Sequence, residues 1–160
     1  MTNMRRGFTM IELIFVIVII GILAVIALPK LTATRTDAKV SSIVANTKTA
    51  INDMKSFYTS QGEPVWTDGN TTVSMVTDVP LYTDSTCSTP AATSAVAGKT
   101  FYLCDDQPKD VIAITTANTS ITVANGSETT SNIAKGVQSD SAIKALEAQP
   151  IQLGGIGVKR

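Results

Sequence analysis

Few side chains in this sequence have the types and spacing that catalysis requires. An enzyme site needs a nucleophile with a base, a pair of carboxylates or a metal. The chain contains no histidine, so no imidazole can activate a serine or cysteine nucleophile. It also lacks a glycine-rich phosphate loop with a following Lys and Ser or Thr. We therefore predict a protein that is not an enzyme and that needs no cofactor.

The densest group of acidic residues is Asp105, Asp106 and Asp110. Carboxylate oxygens are the ligands that calcium prefers, but one calcium ion takes about six to eight oxygen ligands. Adjacent aspartates alone supply too few of them. The prediction is a solvated loop with no bound metal, and a calcium site is the alternative.

The two cysteines, Cys87 and Cys104, both lie in the second half of the chain. In an exported domain an even number of cysteines most simply forms a disulfide. Closing this loop would stabilise the fold by about 3 kcal/mol in the chain-entropy model. The alternative is a pair of unrelated buried thiols. A metal site is disfavoured because two cysteines without histidine supply too few soft ligands.

Glu12 lies within a run of residues that is otherwise suited to lipid. As an α-helix, residues 8–28 would cover roughly 31 Å, close to the hydrocarbon thickness of a bilayer. A carboxylate near the bilayer centre costs about 2.5 to 3.5 kcal/mol on insertion scales, so Glu12 requires an interface or a partner. The alternative is a secretory signal peptide, which also begins with arginines before an apolar region. The apolar run is longer than a usual signal core, and no small-residue cleavage pattern follows it.

A cut between Gly7 and Phe8 would supply a partner for Glu12. The new α-amino group of Phe8 would stand about one helical turn before Glu12. Between staggered parallel chains, the ammonium of one copy can lie beside the carboxylate of another, and the two neutralise each other in a low-dielectric bundle. Such a pairing would set the axial register of an assembly.

The stretch RGFTMIEL at residues 6–13 resembles the leader junction of type IV prepilins and type II secretion pseudopilins. This resemblance implies that a membrane-embedded prepilin peptidase cuts after Gly7 and methylates the amine of Phe8. It also implies that Glu12 is the acid used in subunit docking.

The resemblance extends along the first third of the chain to Gly21 and Pro29. In this family the helix is thought to loosen between these two positions in assembled filaments. Both residue types independently disfavour an uninterrupted helix.

The resemblance and the residue pattern together predict the organisation of the chain. They predict a cytoplasmic leader at 1–7, a transmembrane and filament-core helix at 8–29, an amphipathic continuation of that helix at 30–62 and an exported β-rich domain at 63–160. The precursor would span the bacterial inner membrane, with its N-terminus in the cytoplasm because a disulfide requires an exported domain. It would then enter a periplasmic or cell-surface filament. The implied partners are prepilin peptidase, copies of this chain, other pilins or pseudopilins, an inner-membrane assembly platform and inner-membrane lipid.

The elements that follow residue 30 can be predicted from the residue pattern itself. Apolar residues recur at spacings of three, four and seven between Val40 and Tyr58, which is typical of a helix with one buried face. Gly62 and Pro64 are expected to end this helix. Runs of β-branched and aromatic residues predict antiparallel strands at 71–76, 100–104, 111–116 and 119–123, with a turn at Asn118.

Two further elements and one loop complete the predicted domain. Residues 139–149 predict a short helix opened by Ser139 or Asp140, and residues 151–158 predict a last strand weakened by glycines. Residues 83–99 are rich in Thr, Ser, Ala and Gly, which favours an irregular loop. The predicted fold class is therefore α+β and pilin-like, with a long N-terminal helix packed on a small antiparallel sheet.

The charge balance disfavours nucleic-acid binding, and two departures from the family pattern weaken the assignments as a major pseudopilin and as an ordinary major pilin. The chain has 13 basic and 13 acidic residues, so no nucleic-acid partner is expected. The Asp-Pro-Trp-Gly calcium signature of major pseudopilins is absent, and a long segment follows Cys104, unlike many type IV pilins. The leading hypothesis is a structural filament subunit. The alternatives are a single-pass membrane-anchored protein with an exported ligand-binding domain and a secreted soluble protein.

Overall fold

The computed structural model describes residues 8–105, 107 and 109–154. The predicted leader at 1–7, which includes Gly7, lies outside the described residues, as do Asp106, Pro108 and residues 155–160. The chain divides into two compact units, Met1–Thr36 and Asp37–Arg160.

The first unit contains the beginning of helix α1, which spans Met10–Gln61. Its large apolar side chains from Met10 to Leu31 are exposed, and α1 is the one described helix that is long and apolar enough to cross a membrane. Gly21 and Pro29 both lie within the helical range of α1. The loosening of the helix between them concerns the assembled filament, so it stays a prediction.

In the second unit, the rest of α1 buries one face in the hydrophobic core. The buried residues are spaced three or four apart, as the predicted stripe requires; they are Ile43, Val44, Thr47, Ala50, Ile51, Met54 and Tyr58. The helix ends at Gln61, and Gly62 follows with a φ of 84°. Because glycine enters this left-handed region without steric cost, the predicted stop at Gly62 is confirmed.

Four antiparallel strands form one sheet in the order β1-β2-β3-β4. Their bounds are Thr100–Cys104 for β1, Asp110–Thr116 for β2, Ser120–Asn125 for β3 and Ile151–Gln152 for β4. Ile114 on β2 is paired with Phe101 on β1 and with Val123 on β3, and all three side chains are buried. The backbone N–H of Ala117 donates to the carbonyl of Ser120 at 2.8 Å, which confirms the predicted turn at Asn118.

The predicted strand at 71–76 is wrong. The structure has a short helix there, α3 at Val73–Val76. Another short helix, α2 at Glu63–Thr67, precedes it. Val73 and Val76 are both buried, and their spacing of three places them on the same side of a helical turn. Strand-like pairing is limited to one isolated bridge between Thr72 and Ala95.

The chain between β3 and β4 forms two helices, α4 at Asn132–Ser139 and α5 at Ser141–Glu147. The prediction of one helix at 139–149 captured α5, and the Asp140 carboxylate accepts from the N–H of Ala142 at 2.8 Å as its N-cap. Helix α4 was not predicted because Gly136 lies inside it. A Cβ at Gly136 would lie 2.6 Å from Cγ2 of Val40, so glycine permits close approach of α4 to α1.

Of the last predicted strand, at 151–158, the described part contains β4 at Ile151–Gln152, which pairs with Ser120 and Ile121 of β3. The N–H of Leu153 also donates to the carbonyl of Thr119 at 2.9 Å, and residues 155–158 of the predicted strand lie outside the described residues. The architecture as a whole is the predicted α+β arrangement, in which a long N-terminal helix packs on a small antiparallel sheet.

Candidate functional site

Glu12 lies in the first turn of α1, and its carboxylate is bonded to Thr9. Oε2 of Glu12 accepts hydrogen bonds from the backbone N–H of Thr9 at 2.8 Å and from Oγ1 of Thr9 at 2.7 Å. In return, the N–H of Glu12 donates to Oγ1 of Thr9 at 3.4 Å. This reciprocal pair is a capping box, which satisfies backbone donors that the first turn of a helix leaves unpaired.

The capping box gives Glu12 a partner within its own chain. Thr9 was not among the predicted site residues, although the pattern Thr-x-x-Glu before an apolar run is the sequence signature of this motif. Phe8 directly precedes the box and is 88% exposed. The structure contains one chain, so the pairing of Glu12 with the amino group of another copy stays a prediction.

The predicted disulfide between Cys87 and Cys104 is present, with a Cα–Cα distance of 6.3 Å. Cys104 is the last residue of β1. Cys87 lies in the loop before β1, and the start of this loop is attached to the sheet through Tyr82. The N–H of Tyr82 donates to the carbonyl of Tyr102 at 3.0 Å, and the N–H of Tyr102 donates to the carbonyl of Tyr82 at 2.9 Å. The predicted irregular loop at 83–99 is therefore anchored to β1 through the disulfide at Cys87, and the residue before it, Tyr82, is anchored to β1 through the backbone.

The acidic residues near Cys104 are bonded to protein donors. The carboxylate of Asp110, which is 3% exposed, accepts from the N–H of Ser127 at 2.8 Å and from its hydroxyl at 2.5 Å. Oδ1 of Asp105 accepts from the N–H of Gln107 at 2.8 Å. In the described part of the chain, no group of three or more His, Cys, Asp or Glu side chains could hold a metal ion. Asp106 lies outside the described residues.

An ion pair connects the segment after β1 with the segment before α4. Nζ of Lys109 lies 2.8 Å from Oε2 of Glu128, and the Glu128 side chain is 7% exposed. Lys109, with further hydrogen bonds from Thr130 and Ser131, lowers the pKa of Glu128 from its ordinary value of 4.5 to about 2. The same contact raises the pKa of Lys109.

This ion pair makes the stability of the domain sensitive to acid. Because the pKa of Glu128 is lower in the folded protein than its ordinary value, the pair stabilises the fold above pH 4.5 and is lost as the pH falls through about 2. We expect Glu128→Gln to lower the unfolding midpoint at neutral pH and to reduce the loss of stability between these two pH values. Urea unfolding followed by the fluorescence of Trp66 at a series of pH values measures both effects.

Glu63→Gln is the matched control, because it removes an exposed glutamate from α2. Its acid unfolding profile should follow that of the unsubstituted protein. If the stability of the Glu128→Gln protein falls with pH as steeply as that of the unsubstituted protein, the ion pair does not contribute to the acid sensitivity of the fold.

The N-terminal part of the sequence is similar to known proteins. The Prokaryotic N-terminal methylation motif matches residues 2–28, which include the capping box. The chain is 35% identical over 77 residues to the Fimbrial protein of Neisseria meningitidis serogroup B, covering 48% of this chain and 44% of that protein. It is 35% identical over 71 residues to the Type IV major pilin protein PilE1 of Neisseria gonorrhoeae, covering 44% and 42% of the two chains.

A further relative comes from a different bacterium. The chain is 43% identical over 57 residues to the Type IV major pilin protein PilA of Myxococcus xanthus, covering 36% of this chain and 26% of that protein. The chain thus spans less than half the length of these curated relatives. No solved structure is significantly similar to it. The chain therefore matches the prokaryotic N-terminal methylation motif and is similar, over less than half of its length, to type IV pilins.

Proposed function

We propose that this chain is a pilin, a structural subunit that assembles into a filament through its N-terminal helix. The observation that carries the proposal is the coincidence of the methylation motif at residues 2–28 with the exposed apolar part of α1. An apolar surface of this length requires lipid or other apolar helices around it. Relatives named as type IV major pilins favour a type IV pilus over a type II secretion filament.

In this proposal the chain is first a membrane precursor and then a processed filament subunit. The precursor is held in the bacterial inner membrane by residues 8–29, with the leader in the cytoplasm and residues 63–160 exported. Prepilin peptidase then cuts after Gly7 and methylates the amine of Phe8. An inner-membrane assembly platform, driven by a partner ATPase, moves the mature subunit from lipid into the filament.

Assembly exchanges one apolar environment for another. Lipid tails and the Ile, Leu and Val side chains of neighbouring subunits are similarly apolar, so the transfer of α1 is nearly balanced in free energy. Specificity then depends on the polar groups at the helix start. We propose that the Phe8 ammonium of one subunit pairs with the Glu12 carboxylate of the next, which fixes the axial register.

The mature N-terminus tests this proposal. We expect the intact mass and the N-terminal peptide of protein isolated from its native host to show a chain that begins at methylated Phe8. A mature protein that begins after residue 29 would identify a secreted protein cut by ordinary signal peptidase. A chain that retains residues 1–7 would identify a single-pass anchored protein, and either result would overturn the proposal.

A further inference from the structure

The loop that carries Cys87 is organised around one carboxylate, that of Asp84. Oδ1 of Asp84 accepts hydrogen bonds from the hydroxyl of Thr86 at 2.5 Å, from the N–H of Ser88 at 3.0 Å and from the hydroxyl of Ser88 at 3.2 Å. Oδ2 accepts from the N–H of Thr89 at 2.7 Å. The backbone carbonyl of Asp84 also accepts from the N–H of Cys87 at 3.1 Å. All of these donors lie within five residues of Asp84.

The turn that these bonds close holds Cys87 in an unfavourable backbone conformation. Its φ is 56°, and it is the one residue other than glycine with positive φ among those that the structure describes. A side chain with a Cβ adopts this region only when the surroundings determine it. The hydrogen bonds to Asp84 lie on both sides of Cys87 in the sequence, so they are placed to impose this conformation.

The turn is the tip of a short hairpin that is attached to the sheet. The N–H of Thr83 donates to the carbonyl of Thr89 at 3.0 Å, and the N–H of Ala91 donates to the carbonyl of Leu81 at 2.8 Å. Tyr82, between these two bonds, pairs with Tyr102 of β1. Cys104 lies two residues beyond Tyr102 on the same strand. The hairpin therefore holds the base of the turn beside β1. The direction of the Cys87 side chain then depends on the conformation of the turn.

We propose that Asp84 is a positioning residue for the disulfide: its carboxylate organises the turn 84–89 before oxidation and so presents the Cys87 thiol to Cys104. This inference is independent of the proposed filament role. The hydrogen bonds from Thr86 and Ser88 also hold the pKa of the Asp84 carboxyl well below its usual range. The carboxylate therefore stays ionised, and able to accept these bonds, at mildly acidic pH.

The step that Asp84 assists is the closure of the ring. With oxidised glutathione as the oxidant, one protein thiolate attacks a glutathione sulfur, releases one glutathione thiolate and leaves a mixed disulfide. The second protein thiolate then displaces the other glutathione and forms the Cys87–Cys104 bond. Two electrons pass to glutathione, and the two protons of the protein thiols pass to the two glutathione thiolates. An organised turn raises the effective concentration of one thiol at the other, because less conformational freedom is lost on closure.

The first test is the effective concentration of the thiol pair. The full chain in detergent is equilibrated with reduced and oxidised glutathione, and the oxidised fraction is measured by alkylation and mass spectrometry. We expect Asp84→Ala to lower the effective concentration at least about tenfold, since several hydrogen bonds to a charged acceptor are lost. Asp84→Asn, which keeps one acceptor oxygen, should be intermediate. Ser85→Ala is the control within the same turn, because no hydrogen bond to its hydroxyl contributes to the network around Asp84.

The second test asks whether the turn is organised without the disulfide. In the Cys87→Ser/Cys104→Ser protein, we expect the amides of Ser88 and Thr89 to remain protected from hydrogen exchange. Adding Asp84→Ala should remove that protection while amides of β2 stay protected. Equal effective concentrations in the Asp84→Ala and unsubstituted proteins would overturn the proposal. So would unprotected Ser88 and Thr89 amides in the cysteine-free protein, because the disulfide would then organise the turn.

Discussion

Glu12→Ala protein is expected to reach the inner membrane in normal amount and to be absent from filaments. Without the carboxylate, the Phe8 ammonium of the neighbouring subunit would lie unpaired in an apolar bundle. Leaving one member of a buried ion pair without its partner costs about 3 to 5 kcal/mol, which lowers an equilibrium constant by a factor of at least about 100. Membrane fractionation measures insertion, and the amount of sheared surface filament measures assembly.

Two companion variants separate the charge of Glu12 from its role in the capping box. Glu12→Gln keeps an oxygen that accepts from the N–H and hydroxyl of Thr9, but it removes the charge. Thr9→Ala removes the capping hydroxyl, at a cost of about 1 kcal/mol in helix stability, and leaves the charge in place. We expect Glu12→Gln to fail in assembly and Thr9→Ala to assemble. Normal filaments from Glu12→Gln would show that assembly requires the capping box formed by Glu12 and not its ion pair.

The parts of the fold that follow from local pattern were predictable from the sequence. The apolar stripe of α1 between Val40 and Tyr58 is regular because one face of this part of the helix is buried, from Ile43 to Tyr58. Strand β1 was predicted with its observed bounds from a run of β-branched and aromatic residues bounded by turn residues. In the structure, Thr100–Cys104 alternates half-buried and buried side chains. The disulfide followed from the number of cysteines in a domain expected to be exported.

The parts that depend on tertiary contacts were not predictable. Gly136 lowers the helical propensity of α4, and the reason for a glycine there is the distant Val40 of α1. The β-branched composition of residues 71–76 indicates a strand, but the burial of Val73 and Val76 favours a helical turn. At the site, the predicted partner of Glu12 belongs to another chain, and the partner within its own chain is Thr9, three residues away. The network around Asp84 depends on five hydrogen bonds within one turn, and a run of Ser and Thr in the sequence does not specify them.

Gly7→Val should leave a precursor that keeps its first seven residues, because the proposed scissile bond directly follows Gly7, which has no side chain. The uncut chain has an amide at Phe8 in place of an ammonium, so it cannot be methylated or pair with Glu12. Loss of filaments should therefore be as complete as in Glu12→Ala, and the two substitutions together should be no worse than either alone. Intact mass distinguishes cut from uncut protein.

The matched control for this experiment is Gly21→Val, which places the same side chain on a glycine inside α1. Apart from its chain neighbours and the nearby backbone of its own helix, a Cβ at Gly21 meets no atom of the described residues within 4 Å, so the altered helix should insert normally and should be cut after Gly7. Retention of the leader in both variants would indicate that valine impairs export, not cleavage. A Gly7→Val protein that forms filaments with residues 1–7 still attached would show that assembly does not require the Phe8 ammonium. Glu12 would then act through its capping box with Thr9 alone.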